Sequence, residues 1–258
     1  MTTLQVLMPM GGLGQRFRDV GVFTPKPLIE VGGIPMFKRA LRSLAPYPGA
    51  KQLTVIVRTD AEAEHALSSL VLDVESGAQI VPLGRDTRGA VETSLEARDV
   101  LDDDQPLIIM DCDIAFESSD YFGQIDQALA ASAAGDPNGL DGLLLSFDSR
   151  EPRYSYAEVD SGGQVIRTAE KNPISSNALM GAYFFTKASS FFEAAESLMS
   201  RPISAELPEY YVSLVFNELI EAGKNIGLAR GDFYSFGTPG ELAEFEATGM
   251  PVGAKQPL

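Results

Sequence analysis

The sequence predicts an α/β fold: a single-domain open, mostly parallel twisted sheet with helices on both faces and a small β-rich insertion. Three observations predict it. Short apolar runs of strand length recur through the first 150 residues, amphipathic helical patterns lie between them, and a hairpin-like texture follows. In order, the strand-like runs are LQVLM (4–8), LTVIV (53–57), AQIVP (78–82), LIIMD (107–111) and GLLLSF (142–147). Continuous apolar runs of this length fit strands buried on both faces, as parallel sheets require. Phe37, Ala40, Leu41 and Leu44 follow Pro35 at helical spacing, with the proline suited to a first helical turn. DAEAEHALSSL predicts a helix with Asp60 as its N-cap. Strand–helix–strand alternation then implies right-handed crossovers. Beyond residue 150, YAEVD-SGG-QVIRT (156–168) reads as a hairpin and MGAYFFT (180–186) as a strand. Val212, Val215, Phe216, Leu219 and Ile220 form a helical stripe that ends near Gly223. The expected organisation is one domain over 1–248, with 249–258 a poorly ordered tail.

Composition narrows the function classes. Hydrophobic residues make up 45% and charged residues 22%, ordinary values for a chain with a sizeable core. No run approaches the roughly 20 apolar residues that cross a bilayer. The N-terminus has no basic region ahead of its apolar stretch, so it reads as a first strand, and the expected location is cytoplasmic. One cysteine, Cys112, and one histidine, His65, exclude disulfide frameworks and His/Cys-rich metal sites. His65 is expected at the surface and Cys112 as a small packed side chain. The net charge of −16 argues against nucleic acid, which needs many phosphates neutralised together. Within residues 1–60, however, eight Lys/Arg face three acids, leaving −21 on the remaining 198 residues. That small basic zone suits a compact anion such as a triphosphate, although Lys38, Arg39 and Arg42 read equally well as a solvated helix face.

The segment LMPMGGLGQRF follows the first strand, where open α/β sheets bind their ligands. Gly11, Gly12 and Gly14 allow positive φ and close backbone approach, and Arg16 adds a fork of phosphate donors. The loop is neither a Walker A motif nor GxGxxG. Taken alone, the loop reads first as a plain tight turn, until the continuation RFRDVGVFTPKPLIEVGGIPMF is read. There Lys26 is set between two prolines, and L-x-x-V-x-G-x-P-M follows.

From Met8 to Phe37 the chain resembles the sugar-1-phosphate nucleotidyltransferases, and weaker matches run to about residue 246. The resemblance implies a sheet like that of the glycosyltransferase-A enzymes and attack of a sugar phosphate on a nucleoside triphosphate, with release of pyrophosphate. It implies that Met10, Gly11, Gly12 and Gly14 wrap the triphosphate, that Arg16 holds its outer phosphates, and that Lys26 meets the α-phosphate. Gly89 and Ala90, in DTRGAVETSLEA, would approach the nucleobase. Glu170 and Lys171, in TAEKNP, would meet the phosphorylated acceptor. Asp111 and Asp113, at the end of a buried strand, point to the same side by alternation. Two such carboxylates repel unless Mg²⁺ bridges them to phosphate oxygens, and their spacing matches the family's metal motif. One departure is Ser235, where the family often places a second metal-ligating Asp; Asp232 is the nearest replacement. With PEYYVSLVFNELIEAG, which lacks the usual family wording, it leaves the acceptor open. A cytidylyltransferase acting on a phosphorylated amine or amide for surface polysaccharide decoration is the alternative. A glycosyltransferase and a non-catalytic nucleotide-binding regulator are two further readings. Family members commonly self-associate, so a homo-oligomer is also expected.

Overall fold

The computed structural model describes residues 2–203 and 207–252. Of the predicted tail, 249–252 are described and 253–258 lie outside the described residues. The strands are β1 (Leu4–Met10), β2 (Lys51–Arg58), β3 (Gln79–Leu83), β4 (Leu107–Met110), β5 (Ile114–Glu117), β6 (Gly142–Asp148), β7 (Ser155–Val159), β8 (Val165–Glu170), β9 (Asn177–Phe185), β10 (Ile226–Arg230) and β11 (Asp232–Ser235). The helices are α1 (Gln15–Arg18), α2 (Met36–Arg42), α3 (Thr59–His65), α4 (Leu67–Val74), α5 (Ala90–Leu95), α6 (Ser119–Ala134), α7 (Ala188–Met199), α8 (Val212–Glu221) and α9 (Pro239–Thr248).

The main sheet runs β10-β6-β9-β4-β1-β2-β3, and β9 lies antiparallel to both of its neighbours while the other pairs are parallel. Its strands alternate between two cores, because successive side chains leave opposite faces. Val6, Met8, Val55, Val57, Ile108 and Met110 enter one core, closed by Phe37 of α2, Val71 of α4 and Ile125 of α6. Leu7, Ile56, Leu107 and Ile109 enter the other, closed by Val91 of α5, Phe191 of α7 and Phe216 of α8. Each such fully buried side chain contributes about 1.5–3 kcal/mol. Helices therefore cover both faces, as the alternating sequence predicts. No helix of the described residues is long and apolar enough to cross a membrane.

The insertion is the β7–β8 hairpin, attached to β9 through Tyr156 opposite Ala178. Its turn is closed by Asp160, whose carboxylate accepts the N–H groups of Gly162 and Gln164. Two features depart from the sequence reading. The helix predicted from Asp60 is two helices, broken at Ala66 (φ 49°); Asp60 lies within the first turn, behind the N-cap Arg58, and its carboxylate pairs with Arg58 at 2.8 Å and accepts the Ala61 N–H at 2.8 Å. The Glu62 carboxylate instead accepts the N–H of Ser68 at 2.7 Å and so opens the second helix. Second, β5 and β11 form an antiparallel ribbon apart from the main sheet, with Ser235 opposite Ile114. His65 is half-buried at the end of α3, less exposed than predicted.

Candidate active site

A cleft of about 370 Å³ opens beyond the carboxyl ends of β1 and β4, lined by Arg16, Lys26, Asp111, Asp113, Glu170 and Lys171 among others. Each wall has a local cause. After β1 the chain turns at Gly14 (φ 65°), which leads into α1. A side chain at Gly14 would press on the Cβ of Lys26 at 3.3 Å, so this glycine lets the loop close over the lysine. Phe17 of α1 is buried with Ile29, Val31, Met36 and Phe236, which pins the loop to the body. Lys26 opens a short 3₁₀ turn between Pro25 and the buried Pro27, and its Nζ meets Asp113 Oδ2 at 2.5 Å. Burial works against the Lys26 charge, yet Asp113 and its neighbours outweigh it and hold the ammonium above its ordinary pKa.

Asp111 and Asp113 follow the last residue of β4 and both line the cleft. The Asp111 N–H donates to the Gly181 carbonyl at 2.9 Å, extending the β4–β9 pairing by one step. Gly181 has φ +83°, and a Cβ there would overlap the Asp111 carboxylate. Gly181→Ala is therefore expected to lower stability by about 1–3 kcal/mol through strain and displacement of Asp111. Thermal unfolding checks this; an unchanged midpoint would mean that Asp111 moves aside freely. Asp113 is crowded likewise, since a Cβ at Gly237 would lie 2.7 Å from its Oδ2. The Asp111 carboxyl is pushed up to about 7 by its burial and by Asp113, with Lys26 opposing. Cys112, between them, is buried and inert, its thiol pushed up to about 12 by burial.

In the same cleft, Glu170 ends β8 and accepts hydrogen bonds from the hydroxyls of Ser155 and Ser213. Burial raises its pKa, and the two hydroxyls oppose the rise. Lys171 has φ +54°, a left-handed conformation that costs a non-glycine residue roughly 1–2 kcal/mol. Strain of this kind gathers at functional sites. Its Nζ donates to the Tyr211 hydroxyl at 2.8 Å. Tyr211, Glu209 and Arg153 also line the cleft, and no sequence motif marked them. Arg153 is paired with Glu151 and Glu241, each at 2.8 Å.

The remaining predicted residues are placed differently. Met10, Gly11, Gly12, Gly14 and Gly89 do not line the cleft, whereas Ala90 does. Of the three loop glycines only Gly14 has positive φ. Gly11 is instead crowded by Leu83 and Thr93, while a side chain at Gly12 would meet nothing within 4 Å. Gly89 (φ 122°) is required by packing, since a Cβ would lie 2.7 Å from the backbone of Tyr210. Ser235 lines the cleft, but Asp232 stands opposite Glu117 at the far end of the ribbon and does not, so the replacement ligand considered above is not supplied there. Arg39 of the basic zone binds the Val31 carbonyl and covers Phe245; neither it nor Lys38 nor Arg42 reaches the cleft.

The chain matches the Nucleotidyl transferase family over residues 5–219. It is 29% identical over 193 residues to glucose-1-phosphate thymidylyltransferase of Streptomyces antibioticus, covering 72% of this chain and 50% of that protein. Against the bifunctional enzyme IspD/IspF of Clavibacter michiganensis it is 28% identical over 176 residues, 66% of this chain and 38% of that one. The chain thus spans half or less of these curated relatives. Among solved structures, the nucleoside-diphosphate-sugar pyrophosphorylase of Vibrio cholerae RC9 superposes with TM-score 0.79 at 26% identity, covering 94% of this chain and all of that one. The inositol-1-phosphate CTP transferase of T. maritima, at 13% identity and TM-score 0.68 over 97% of this chain and 98% of that one, shares the fold. With the match spanning most of its length, and in keeping with the resemblance carried by Met8–Phe37, the chain belongs to the nucleotidyl transferase family.

Proposed function

We propose that this chain transfers a nucleotidyl group from a nucleoside triphosphate to a sugar 1-phosphate, with Mg²⁺, and releases pyrophosphate. One observation carries the reading: Arg16, Lys26, Asp111, Asp113 and Lys171 line one cleft, with Lys26 paired to Asp113 at 2.5 Å. The carboxylate pair fits Mg²⁺, which prefers oxygen ligands and keeps open positions for water and phosphate oxygens. No hydrogen-bond donor of the described residues meets the Asp111 side chain, and no three His, Cys, Asp or Glu among them form a complete cage. When bound, the ion would supply charge neutralisation at the triphosphate. In the reaction an acceptor phosphate oxygen forms a bond to the α-phosphorus. The bond from that phosphorus to the bridging oxygen of the β-phosphate breaks, and pyrophosphate leaves with the electron pair. The nucleophile is already an anion, so the protein's work is positioning and electrostatics. Arg16 holds the outer phosphates, Lys26 the α-phosphate, Lys171 the acceptor phosphate, and Glu170 accepts a hydrogen bond from an acceptor hydroxyl.

A second reading, cytidylyl transfer to a phosphorylated amine or amide, draws support from Glu209 and Glu170. Both bear electrostatically on Lys171, and such carboxylates would receive a cationic or N–H-bearing group. Pyrophosphate release, measured with four nucleoside triphosphates against sugar 1-phosphates, phosphocholine and phosphoethanolamine, separates the readings. Release with one sugar 1-phosphate supports the first, and release with an amine phosphate the second. A nucleoside diphosphate product would indicate glycosyl transfer, and no product in the presence of bound triphosphate would indicate a binding protein.

A further inference from the structure

Three cations of the cleft, Lys26, Arg153 and Lys171, are held in two different ways. Lys26 is fixed by the carboxylate of Asp113, and Arg153 by those of Glu151 and Glu241. Lys171 is fixed by a neutral group, the hydroxyl of Tyr211 at 2.8 Å. The difference matters because a carboxylate partner spends much of the field of an ammonium, whereas a phenol restrains its position and leaves its charge intact. An unrestrained lysine distributes its ammonium over many rotamers and loses that freedom when it binds.

Tyr211 is itself well placed to act as a fixed point. Tyr210 donates its N–H to the Arg88 carbonyl at 2.7 Å, and its own carbonyl accepts the Val91 N–H at 3.1 Å. The Tyr210 hydroxyl donates to the Arg201 carbonyl at 2.7 Å. α8 begins at the next residue, Val212, which is buried. On the other side, the left-handed turn at Lys171 is tied by its N–H to the Tyr154 carbonyl at 3.0 Å. Both backbones are thus anchored, and the 2.8 Å contact between their side chains spans the cleft wall.

We propose that Tyr211 is a positioning residue that holds the Lys171 ammonium toward the phosphate of the acceptor. The inference rests on the nucleotidyl-transfer reading above. Tyr211→Phe removes only the hydroxyl. It is expected to raise the acceptor KM about tenfold, the size expected for a lost hydrogen bond to a charged group, while kcat and the triphosphate KM stay within about twofold. Lys171→Met should cost more, and the double variant should be no worse than Lys171→Met, because the tyrosine acts through the lysine. An equal rise in both KM values, or additive losses, would overturn the proposal.

A readout independent of turnover separates this from the reaction itself. Acylation of Lys171 by acetic anhydride at mildly alkaline pH, followed by peptide mass spectrometry, should run severalfold faster in Tyr211→Phe, with Lys38 as internal reference. Millimolar inorganic phosphate should protect Lys171 in the wild type and protect it less in the variant. Equal labelling and equal protection would overturn the positioning role even if the enzyme turned over. Absent pyrophosphate release with the labelling contrast intact would instead contradict the reaction reading alone and leave Tyr211 as the residue that directs Lys171 to a phosphate.

Discussion

Lys26→Ala is expected to lower kcat by about 10²–10³-fold while changing the Kd of the triphosphate only severalfold. In the proposed transfer the charge of Lys26 is needed most when negative charge gathers on the α-phosphate in the transition state, so its loss should fall on rate more than on binding. The structure adds a second cost. Lys26 meets Asp113 at 2.5 Å, and without it the Asp111–Asp113 pair loses its cationic neighbour and repels more strongly. Lys26→Arg keeps the charge but not the compact ammonium, and should recover part of the rate. Steady-state kinetics beside calorimetric triphosphate binding checks this; parallel losses in rate and affinity would remove Lys26 from the transition state.

Asp111→Asn is expected to cost about 10³-fold or more in activity, because at the proposed metal site a neutral amide would weaken the hold on a divalent cation. The same substitution should stabilise the fold in EDTA. The Asp111 carboxyl lies at about 7 in the folded protein against an ordinary 3.8. Between those values the native state keeps a proton that the unfolded chain has released, so stability falls as pH rises through the window. The penalty is complete above about pH 7 and absent below about pH 4. Asparagine carries no such penalty, so the variant should gain on the order of 2–4 kcal/mol at neutral pH, roughly 5–10 °C in Tm, with the gap closing toward pH 4. A gap that does not vary with pH would show that Asp111 is not held in this strained ionisation. An active variant would place the metal elsewhere.

The parts of this molecule that were legible in the sequence are those with a one-dimensional signature. LIIM and LTVIV read as strands because both their faces are buried, which leaves an uninterrupted apolar run. IAFE and DFYS did not, since the β5–β11 ribbon is short and only alternate residues are buried. The helix break at Ala66 was hidden because its cause, Glu62 reaching Ser68, is a side-chain choice that helical periodicity does not encode. In the cleft, Arg16, Lys26, Asp111, Asp113, Glu170 and Lys171 were found through their residue type and local motif, and they share one cavity. The glycines were read for their φ freedom, yet Gly11 and Gly89 answer to neighbours distant in sequence, Leu83 and Tyr210. Tyr211 was invisible for the same reason, because the lysine it holds lies 40 residues earlier.

In the proposed reaction the acceptor's phosphate oxygen displaces pyrophosphate from the α-phosphorus in this cleft. The most direct test uses an acceptor whose phosphate oxygens carry ¹⁸O, with products read by ³¹P NMR and mass spectrometry. The expected result is ¹⁸O in the bridge of a new phosphoanhydride, unlabelled pyrophosphate, and loss of both signals in Asp111→Asn. Labelled phosphate released from the acceptor, or a nucleoside diphosphate leaving in place of pyrophosphate, would contradict it.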